Sequence, residues 1–159
     1  MIELSICKDL DYIKSVMIDD KEMYSRSSDD FTPKNIHEGF HSALWLQCKK
    51  DNQKIGLSAI KVASSSVLNI HIHIQKQFRG AGTIEVGKTI LRWVVENAGP
   101  SFYKINTKVP VIYKDVIRFA HTLGFKDEGV DRLSIMKSGK LVDRLNLGIT
   151  FNEVLNVGS

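Results

Sequence analysis

The amino-acid sequence predicts one α/β (α+β) domain, spanning residues 1–159, around a mixed central sheet. Two kinds of segment follow one another along the chain. In one kind apolar and polar residues alternate, which is typical of strands, and in the other apolar residues recur at helical spacing. Strand–helix–strand units give parallel pairs and hairpins give antiparallel pairs, so both connections in one chain indicate a mixed sheet. We expect about seven strands and about four helices, with no internal repeat or domain-sized linker.

Composition excludes several classes of protein. The chain is 43% hydrophobic and 25% charged, which is ordinary for a globular protein, and its net charge of +4 suits an anionic cofactor. It has neither the basic cluster nor the aromatic pattern of a nucleic-acid-binding module. No apolar run approaches the roughly 20 residues of a membrane-spanning helix, and the acidic N-terminal stretch is unlike an export signal. We therefore expect a cytoplasmic protein, with no membrane partner and, from two isolated cysteines, no disulfide or metal site.

The N-terminal part of the chain predicts a strand followed by two helices. Alternation predicts the strand over 1–7, and apolar residues at helical spacing follow it, with Asp9 or Asp11 as the expected N-cap. The polar stretch 19–30 is the longest predicted loop. Thr32 followed by proline begins the second helix, because threonine is a good N-cap and proline is tolerated at the first helical position.

Three strands are predicted next. Two of them, over 43–48 and 55–63, form a hairpin joined by a polar turn, and the third spans 67–74. Lys49 and Lys50 lie in the predicted turn, where their charges are expected to be solvated.

The C-terminal half alternates helix and strand patterns, and glycine or proline marks most boundaries. Its expected elements are a helix over 83–97, a strand over 103–109, a helix around 116–123, and a hairpin with strands over 132–137 and 141–149. Ser138 and Gly139 form the expected tight turn of that hairpin.

The stretch from His71 to Asn97 is the most informative part of the sequence. An alternating strand enters a basic turn that contains glycine, and the turn opens directly onto an amphipathic helix. This order places backbone N–H groups at the positive end of a helix dipole, where proteins bind phosphate. Gly80 and Gly82 allow a ligand close to the backbone, and Arg79 adds a positive charge. The stretch predicts a ligand that carries phosphate.

The same turn carries a family resemblance. Residues 77–82, Gln-Phe-Arg-Gly-Ala-Gly, fit the pattern [Gln/Arg]-x-x-Gly-x-[Gly/Ala], and Leu-Gly-Phe-Lys at 123–126 follows the last predicted helix. With the closing hairpin, these features resemble the GNAT superfamily of N-acetyltransferases over roughly 67–149. A second register, with Phe78-Arg79-Gly80 as the family's aromatic-Arg-Gly, puts Ile84 where glycine or alanine is usual. Segments such as IHIHIQKQFRG also resemble the sequences of GNAT-like proteins of bacteriophages.

The resemblance implies acetyl-CoA as co-substrate and direct attack by an amine on its thioester. The amides of the turn would hold the pyrophosphate, and the pantetheine arm would lie between the strands around 70–74 and 104–107. The expected cofactor-binding residues are Ile72, Ile74, Gln77, Arg79, Gly80, Ala81, Gly82 and Thr83.

The expected catalytic residues are His71, His73 and Tyr113. The two histidines point to one face of their strand, and an imidazole suits a general base near neutral pH; the other interpretation is that neighbouring residues merely satisfy them. Family members often carry asparagine where this chain has Tyr113, and a tyrosine acid where it has Ala120. Tyr113 or Tyr103 would have to replace that acid, although packing is the simpler role for both.

Three hypotheses for function follow. The first is an acyl-CoA-dependent N-acyltransferase whose amine acceptor belongs to a protein, a small molecule or a modified base. The second is a catalytically inactive GNAT-fold protein that binds phage structural proteins during assembly. The third, a nucleic-acid-binding module, lacks a supporting pattern. A homodimer is left open.

Overall fold

The computed structural model describes residues 1–19 and 32–156. Its strands are β1 (Ile2–Ile6), β2 (Leu44–Lys50), β3 (Gln53–Val62), β4 (Val67–Ile74), β5 (Lys104–Pro110), β6 (Lys126–Lys137) and β7 (Lys140–Thr150). Its α-helices are α1 (Leu10–Asp19), α2 (Pro33–Gly39), α3 (Thr83–Asn97), α4 (Lys114–Leu123) and α5 (Phe151–Asn156), with short 3-10 turns at Phe40–Ser42 and Lys76–Phe78. No helix in these ranges is long and apolar enough to cross a membrane.

All of the described strands join one mixed sheet in the order β1-β2-β3-β4-β5-β7-β6. Strands β4 and β5 form its parallel pair, and the other neighbours are antiparallel. The parallel pairing covers only the first part of each strand, where residues 67–69 of β4 lie opposite residues 104–106 of β5. Beyond Asn69 and Asn106 the two strands separate, which opens a V-shaped gap in the middle of the sheet.

The sheet separates two apolar cores. On one face, Ile70 and Ile74 of β4 and Ile105 of β5 are buried with the apolar sides of α3 and α4. On the other face, Leu57 and Ala59 of β3 are buried with α1 and α2. Because successive strand residues point to opposite faces, the side chains at 71 and 73 lie on the α1–α2 side.

Local signals fix most element boundaries as the sequence predicts. The Asp9 carboxylate accepts a hydrogen bond from the N–H of Tyr12 at 3.1 Å, so Asp9 is the N-cap of α1. The Thr32 hydroxyl accepts from the N–H of Asn35 at 3.1 Å and begins α2. The predicted spans of β4 and α3 are confirmed without change. The predicted loop over 19–30 lies, from residue 20, outside the described residues.

Both tight hairpin turns place two consecutive residues in the left-handed region. Asp51 and Asn52 join β2 to β3 with φ of 50° and 67°, and Ser138 and Gly139 join β6 to β7 with φ of 49° and 76°. Such turns match the twist of the flanking strands. The first turn is therefore two residues long, and the expectation that Lys49 and Lys50 lie in it is wrong, because both belong to β2.

Two further boundaries differ from the sequence expectation. Strand β6 begins at Lys126, six residues before the predicted start at 132, because it continues directly from the end of α4 beside β7. The sequence expectation also lacks α5. The Thr150 hydroxyl accepts from the N–H of Glu153 at 3.2 Å, and the Glu153 carboxylate accepts from the N–H of Thr150 at 2.9 Å. This reciprocal capping is a recognisable helix-start pattern, Thr-x-x-Glu.

Candidate active site

A cleft of about 620 Å³ occupies the gap between β4 and β5. Residues 70–74 of β4 form one wall and residues 107–110 of β5 the other, with α4 contributing Phe119 and Ala120. The cleft continues to Gly80 and Thr83, at the turn that precedes α3. Its shape is that of an elongated, mostly apolar slot that ends at the predicted phosphate turn.

Backbone groups of β4 face this cleft. The N–H of Gln75 donates to the carbonyl of Ile55 on β3 at 2.9 Å, so the odd-numbered residues of β4 direct their backbone groups toward β3. The even-numbered residues direct theirs toward β5, which has moved away at Ile72 and Ile74. The Arg79 side chain fills part of this gap, since its Nε donates to the Ile74 carbonyl at 2.9 Å. Within the described part of the chain, the backbone of Ile72 and the N–H of Ile74 have no neighbouring strand to pair with on this side.

The turn before α3 holds a conformation that glycine favours. Gly80 and Gly82 have φ of 126° and 91°, and the Thr83 hydroxyl bonds to both the N–H and the carbonyl of Gly80. Within the described residues, the N–H groups of Ile84 and Glu85 have no hydrogen-bond partner, as expected in the first turn of a helix. The turn therefore presents backbone donors at the positive end of a long helix.

Lys50 adds a positive charge to this turn. Its Nζ lies 2.9 Å from the point where a Cβ on Gly82 would stand. The register of β2 explains the position: Leu46 and Cys48 point into the core beneath α3, and Lys50 continues the same face to the start of that helix. Lys50, Arg79 and the helix dipole all place positive charge around one turn. This concentration of positive charge favours an anion at the turn.

The side chains of His71 and His73 stand side by side. Their ring centroids are 6.2 Å apart with planes inclined by 16°, and both residues belong to the lining of the cleft. Burial holds the pKa of His73 well below its usual value, and the charges of His71 and Arg79 lower that pKa further. The lowered pKa favours the neutral form of the His73 ring, and a neutral imidazole has one nitrogen of the acceptor type.

A second, smaller cavity of about 150 Å³ also reaches His73. It lies between the end of α1 and the end of β4, and its lining includes Asp19, Gln75 and Gln77. His73 therefore forms part of the wall of both cavities. The sequence offered no signal for this cavity, because it joins segments far apart along the chain.

The structure does not bring every predicted site residue to the cleft. Ile72, Ile74, Arg79, Gly80 and Thr83 line it, whereas Gln77 lines the second cavity and Ala81 and Gly82 belong to neither lining. Among the described residues, no three His, Cys, Asp or Glu side chains are grouped to hold a metal ion.

Tyr113 and Tyr103 lie outside both linings. Tyr113 precedes α4 and packs against the core, with the Nζ of the buried Lys137 at 5.7 Å from its ring centroid. Tyr103 is 66% exposed. Ala120 does line the cleft, but its methyl group supplies no proton. Within residues 1–19 and 32–156, therefore, no tyrosine lines the cleft.

Comparison with known proteins identifies the architecture. No family model and no curated protein matches the sequence. A spermidine/spermine N-acetyltransferase from Vibrio cholerae, in mutant form, is similar in structure with a TM-score of 0.80 and 17% identity, covering 99% of this chain and 98% of that chain. An N-acetyltransferase from Staphylococcus aureus Mu50 has a TM-score of 0.75 and 16% identity, with 96% and 99% covered.

A third similar structure contains ligands. It is the spermidine N-acetyltransferase from Vibrio cholerae in complex with CoA and spermine, with a TM-score of 0.76 and 16% identity over 98% of both chains. At such low identity the similarity concerns the fold. The chain has the α+β fold of these N-acetyltransferases, as its resemblance to the GNAT superfamily predicts.

Proposed function

We propose that this protein transfers an acetyl group from acetyl-CoA to the amino group of an acceptor. The observation that carries the proposal is a continuous slot that runs from a positively charged turn to a pair of histidines. The slot has an anion-binding end and an end with a proton acceptor, as a thioester with a phosphorylated tail requires. The CoA in a structure of the same fold supports this assignment.

The residues of the turn and of β4 fit the two parts of CoA. The pyrophosphate would accept hydrogen bonds from the N–H groups of the turn, with Lys50 and Arg79 balancing its charge. The pantetheine arm carries amide groups, and the free backbone of Ile72 and the N–H of Ile74 would bond to them as a neighbouring strand does. Gln77, Ala81, Gly82 and Thr83 keep their predicted roles in shaping this turn.

The reaction then needs one proton acceptor. The lone pair of the neutral amine attacks the thioester carbonyl carbon, a C–N bond forms, and backbone N–H groups of β4 stabilise the oxyanion. The proton released from the nitrogen passes to His73, directly or through a water. The C–S bond breaks as the carbonyl re-forms, so the products are the acetylated amine and CoA. His71, whose ring is stacked 6.2 Å from that of His73, remains the second predicted catalytic histidine.

The leaving thiolate does not need a tyrosine. A thiol has a pKa of about 8.5, so its thiolate is a competent leaving group near neutral pH and can take a proton from water. The presence of Ala120 in the cleft is therefore compatible with turnover. Tyr113, which precedes α4, remains a prediction as the acid that assists the leaving group.

Acetyl-CoA is expected to raise the melting temperature of the protein. A ligand at about 100 times its Kd stabilises the folded state by about 2.7 kcal/mol, a shift that thermal denaturation resolves easily. Adenosine at the same concentration is the matched control, because it lacks the phosphates and the thioester. No shift at millimolar acetyl-CoA would refute the proposal and favour the non-catalytic assembly protein.

Replacing Lys50 with methionine is expected to weaken acetyl-CoA binding by about tenfold. The change removes a charge that faces the turn, and a charge-assisted contact with phosphate contributes about 1.5 kcal/mol or more. Isothermal titration at two salt concentrations measures the affinity for acetyl-CoA. This affinity should depend less on salt in the variant than in the wild-type protein.

The adjacent lysine provides the control. Lys49 belongs to the same strand, but its side chain points to the opposite face of the sheet, so Lys49→Met removes the same charge away from the turn. Equal losses of affinity in the two variants would show that only the overall charge matters.

A further inference from the structure

We propose that a groove at the C-terminal end of α3 binds a small carboxylate with an apolar body, such as a medium-chain fatty acid. The groove has a volume of about 770 Å³ and lies between the last turns of α3 and the adjoining ends of β1, β2, β3 and β4. Among the described residues, it has no lining residue in common with the cofactor cleft or with the small cavity at His73. The proposed ligand is therefore separate from the substrates of the proposed reaction.

The floor of the groove is an exposed apolar surface on the face of the sheet that packs against α3. Along β2, Cys48 and Leu46 on this face are almost fully buried, whereas Leu44 is 40% exposed. Along β3, Ile60 on the same face is buried, whereas Val62 is 69% exposed. Within the described part of the chain, the sheet therefore extends beyond the cover that α3 provides, and its aliphatic side chains face the groove there.

The apolar floor crosses three strands. Leu44 of β2 lies opposite Ile60 of β3, and Val62 of β3 lies opposite Leu68 of β4. Two spacings between neighbouring strands, each about 4.8 Å, give this strip a width of about 10 Å. The volume of the groove also lies within the range of about 300–1,000 Å³ that is usual for small-molecule sites. These dimensions fit an extended alkyl chain of medium length.

The charges around the groove favour an acid as the polar end of the ligand. Lys8 and Lys61 belong to the lining, and none of the described lining residues is Asp or Glu. Within the described ranges, the ammonium group of Lys8 has no carboxylate partner. An apolar strip bordered by lysines complements a molecule that combines an apolar body with a negative end.

The dipole of α3 determines how such a molecule would lie in the groove. Helix α3 ends at Asn97, and Trp93, Asn97 and Ala98 form the helical side of the lining. The C-terminal end of a helix carries a partial negative charge, which disfavours a carboxylate beside it. The carboxylate is therefore expected beside Lys8, two residues beyond the end of β1, with the alkyl chain on the strip next to the half-buried Trp93.

Calorimetric titration with octanoate tests the chemistry of the ligand. Octanoate is expected to bind at one site per chain, with a Kd at least about tenfold lower than those of octylamine and acetate. Octylamine has the same chain with the opposite charge, and acetate has the same charge without the chain. Equal affinities for octanoate and octylamine would overturn the proposal, because the lysines would then have no part in recognition.

A first variant tests the charge. Lys8→Gln is expected to weaken octanoate binding about fivefold and to leave the affinity for uncharged octanol unchanged. Lys88→Gln is the matched control, because it removes an exposed lysine of α3 that lies outside all three linings. Equal losses of octanoate affinity in the two variants would contradict a carboxylate site beside Lys8.

A second variant tests the apolar strip. Val62→Glu adds a carboxylate at an exposed position of the floor and is expected to weaken octanoate binding at least about tenfold. Val130→Glu is the control, because Val130 is a 50% exposed valine of β6 outside the three linings. Wild-type affinity in Val62→Glu would mean that octanoate binds elsewhere, which overturns the proposal.

Two further measurements distinguish the groove from other occupants and other sites. Octanoate and acetyl-CoA are expected to bind together, since their linings are separate. Displacement of octanoate by acetyl-CoA would place the acid in the cofactor cleft and overturn the proposal. No saturable binding of octanoate at millimolar concentration would also overturn it. If, in addition, sedimentation showed self-association that Val62→Glu abolishes, the strip would belong to an interface with a second copy of the chain.

Discussion

Replacing His73 with glutamine is expected to lower kcat by at least about a hundredfold, with the Kd of acetyl-CoA changed by less than about threefold. General base catalysis contributes about 10²- to 10⁴-fold, and glutamine keeps the polar volume but cannot accept the proton. Acetyl-CoA would still bind, because most of the cleft is formed by other residues. Steady-state kinetics and titration of acetyl-CoA measure the two quantities.

The dependence of activity on pH separates a base from a structural histidine. Since the pKa of His73 is lowered, the wild-type protein should keep kcat on the acid side down to below the usual histidine range. His71→Gln removes one of the charges that lower this pKa, so the acid limb of the profile should move to higher pH. His73→Gln should have no such limb.

The control for this prediction is His121→Gln. His121 lies on α4, where its Nε2 is 2.6 Å from a carboxylate oxygen of Asp127, and it lines neither cavity. Wild-type turnover is expected in this variant. Turnover of His73→Gln at the wild-type rate, with an unchanged pH profile, would mean that another group accepts the proton.

The central element of the site could be predicted because its signals are local. Alternation over 67–74 defines β4, and Gly82, in the left-handed region, ends the turn at the residue before α3. The histidines follow from the same alternation, since a period of two residues assigns each side chain to a face. Local patterns of this kind do not depend on which strands become neighbours.

The remaining parts of the site depend on contacts between distant segments. The separation of β4 from β5, which creates the cleft, has no local pattern in the sequence of either strand. Lys50 reaches the turn before α3 from β2, so its role appears only once the strand order and register are known. The helix α5 is different, because it could have been predicted: Thr150 and Glu153, which cap its start, form a local pattern in the sequence.

The change Gly56→Ala is expected to destabilise the protein by at least about 3 kcal/mol. A Cβ at this position of β3 would lie 2.2 Å from the carbonyl oxygen of His73 and 3.0 Å from the Cα of Ile74. Both atoms belong to the backbone of β4, so no side-chain rotation can relieve the clash, and overpacking of this kind costs about 1–3 kcal/mol or more. Urea denaturation measures the loss as a lower midpoint with an unchanged slope.

Where the Gly56→Ala variant still folds, its backbone must move away from His73 and Ile74 of β4. The shift displaces the proposed base, His73, so kcat should fall more than the affinity for acetyl-CoA. Gly39→Ala is the control: its nearest neighbour would be the Ser42 Oγ at 4.0 Å, and its φ of −85° suits alanine. Similar stability changes in the two variants would contradict the close approach of β3 to β4, and with it the strand position on which the base depends.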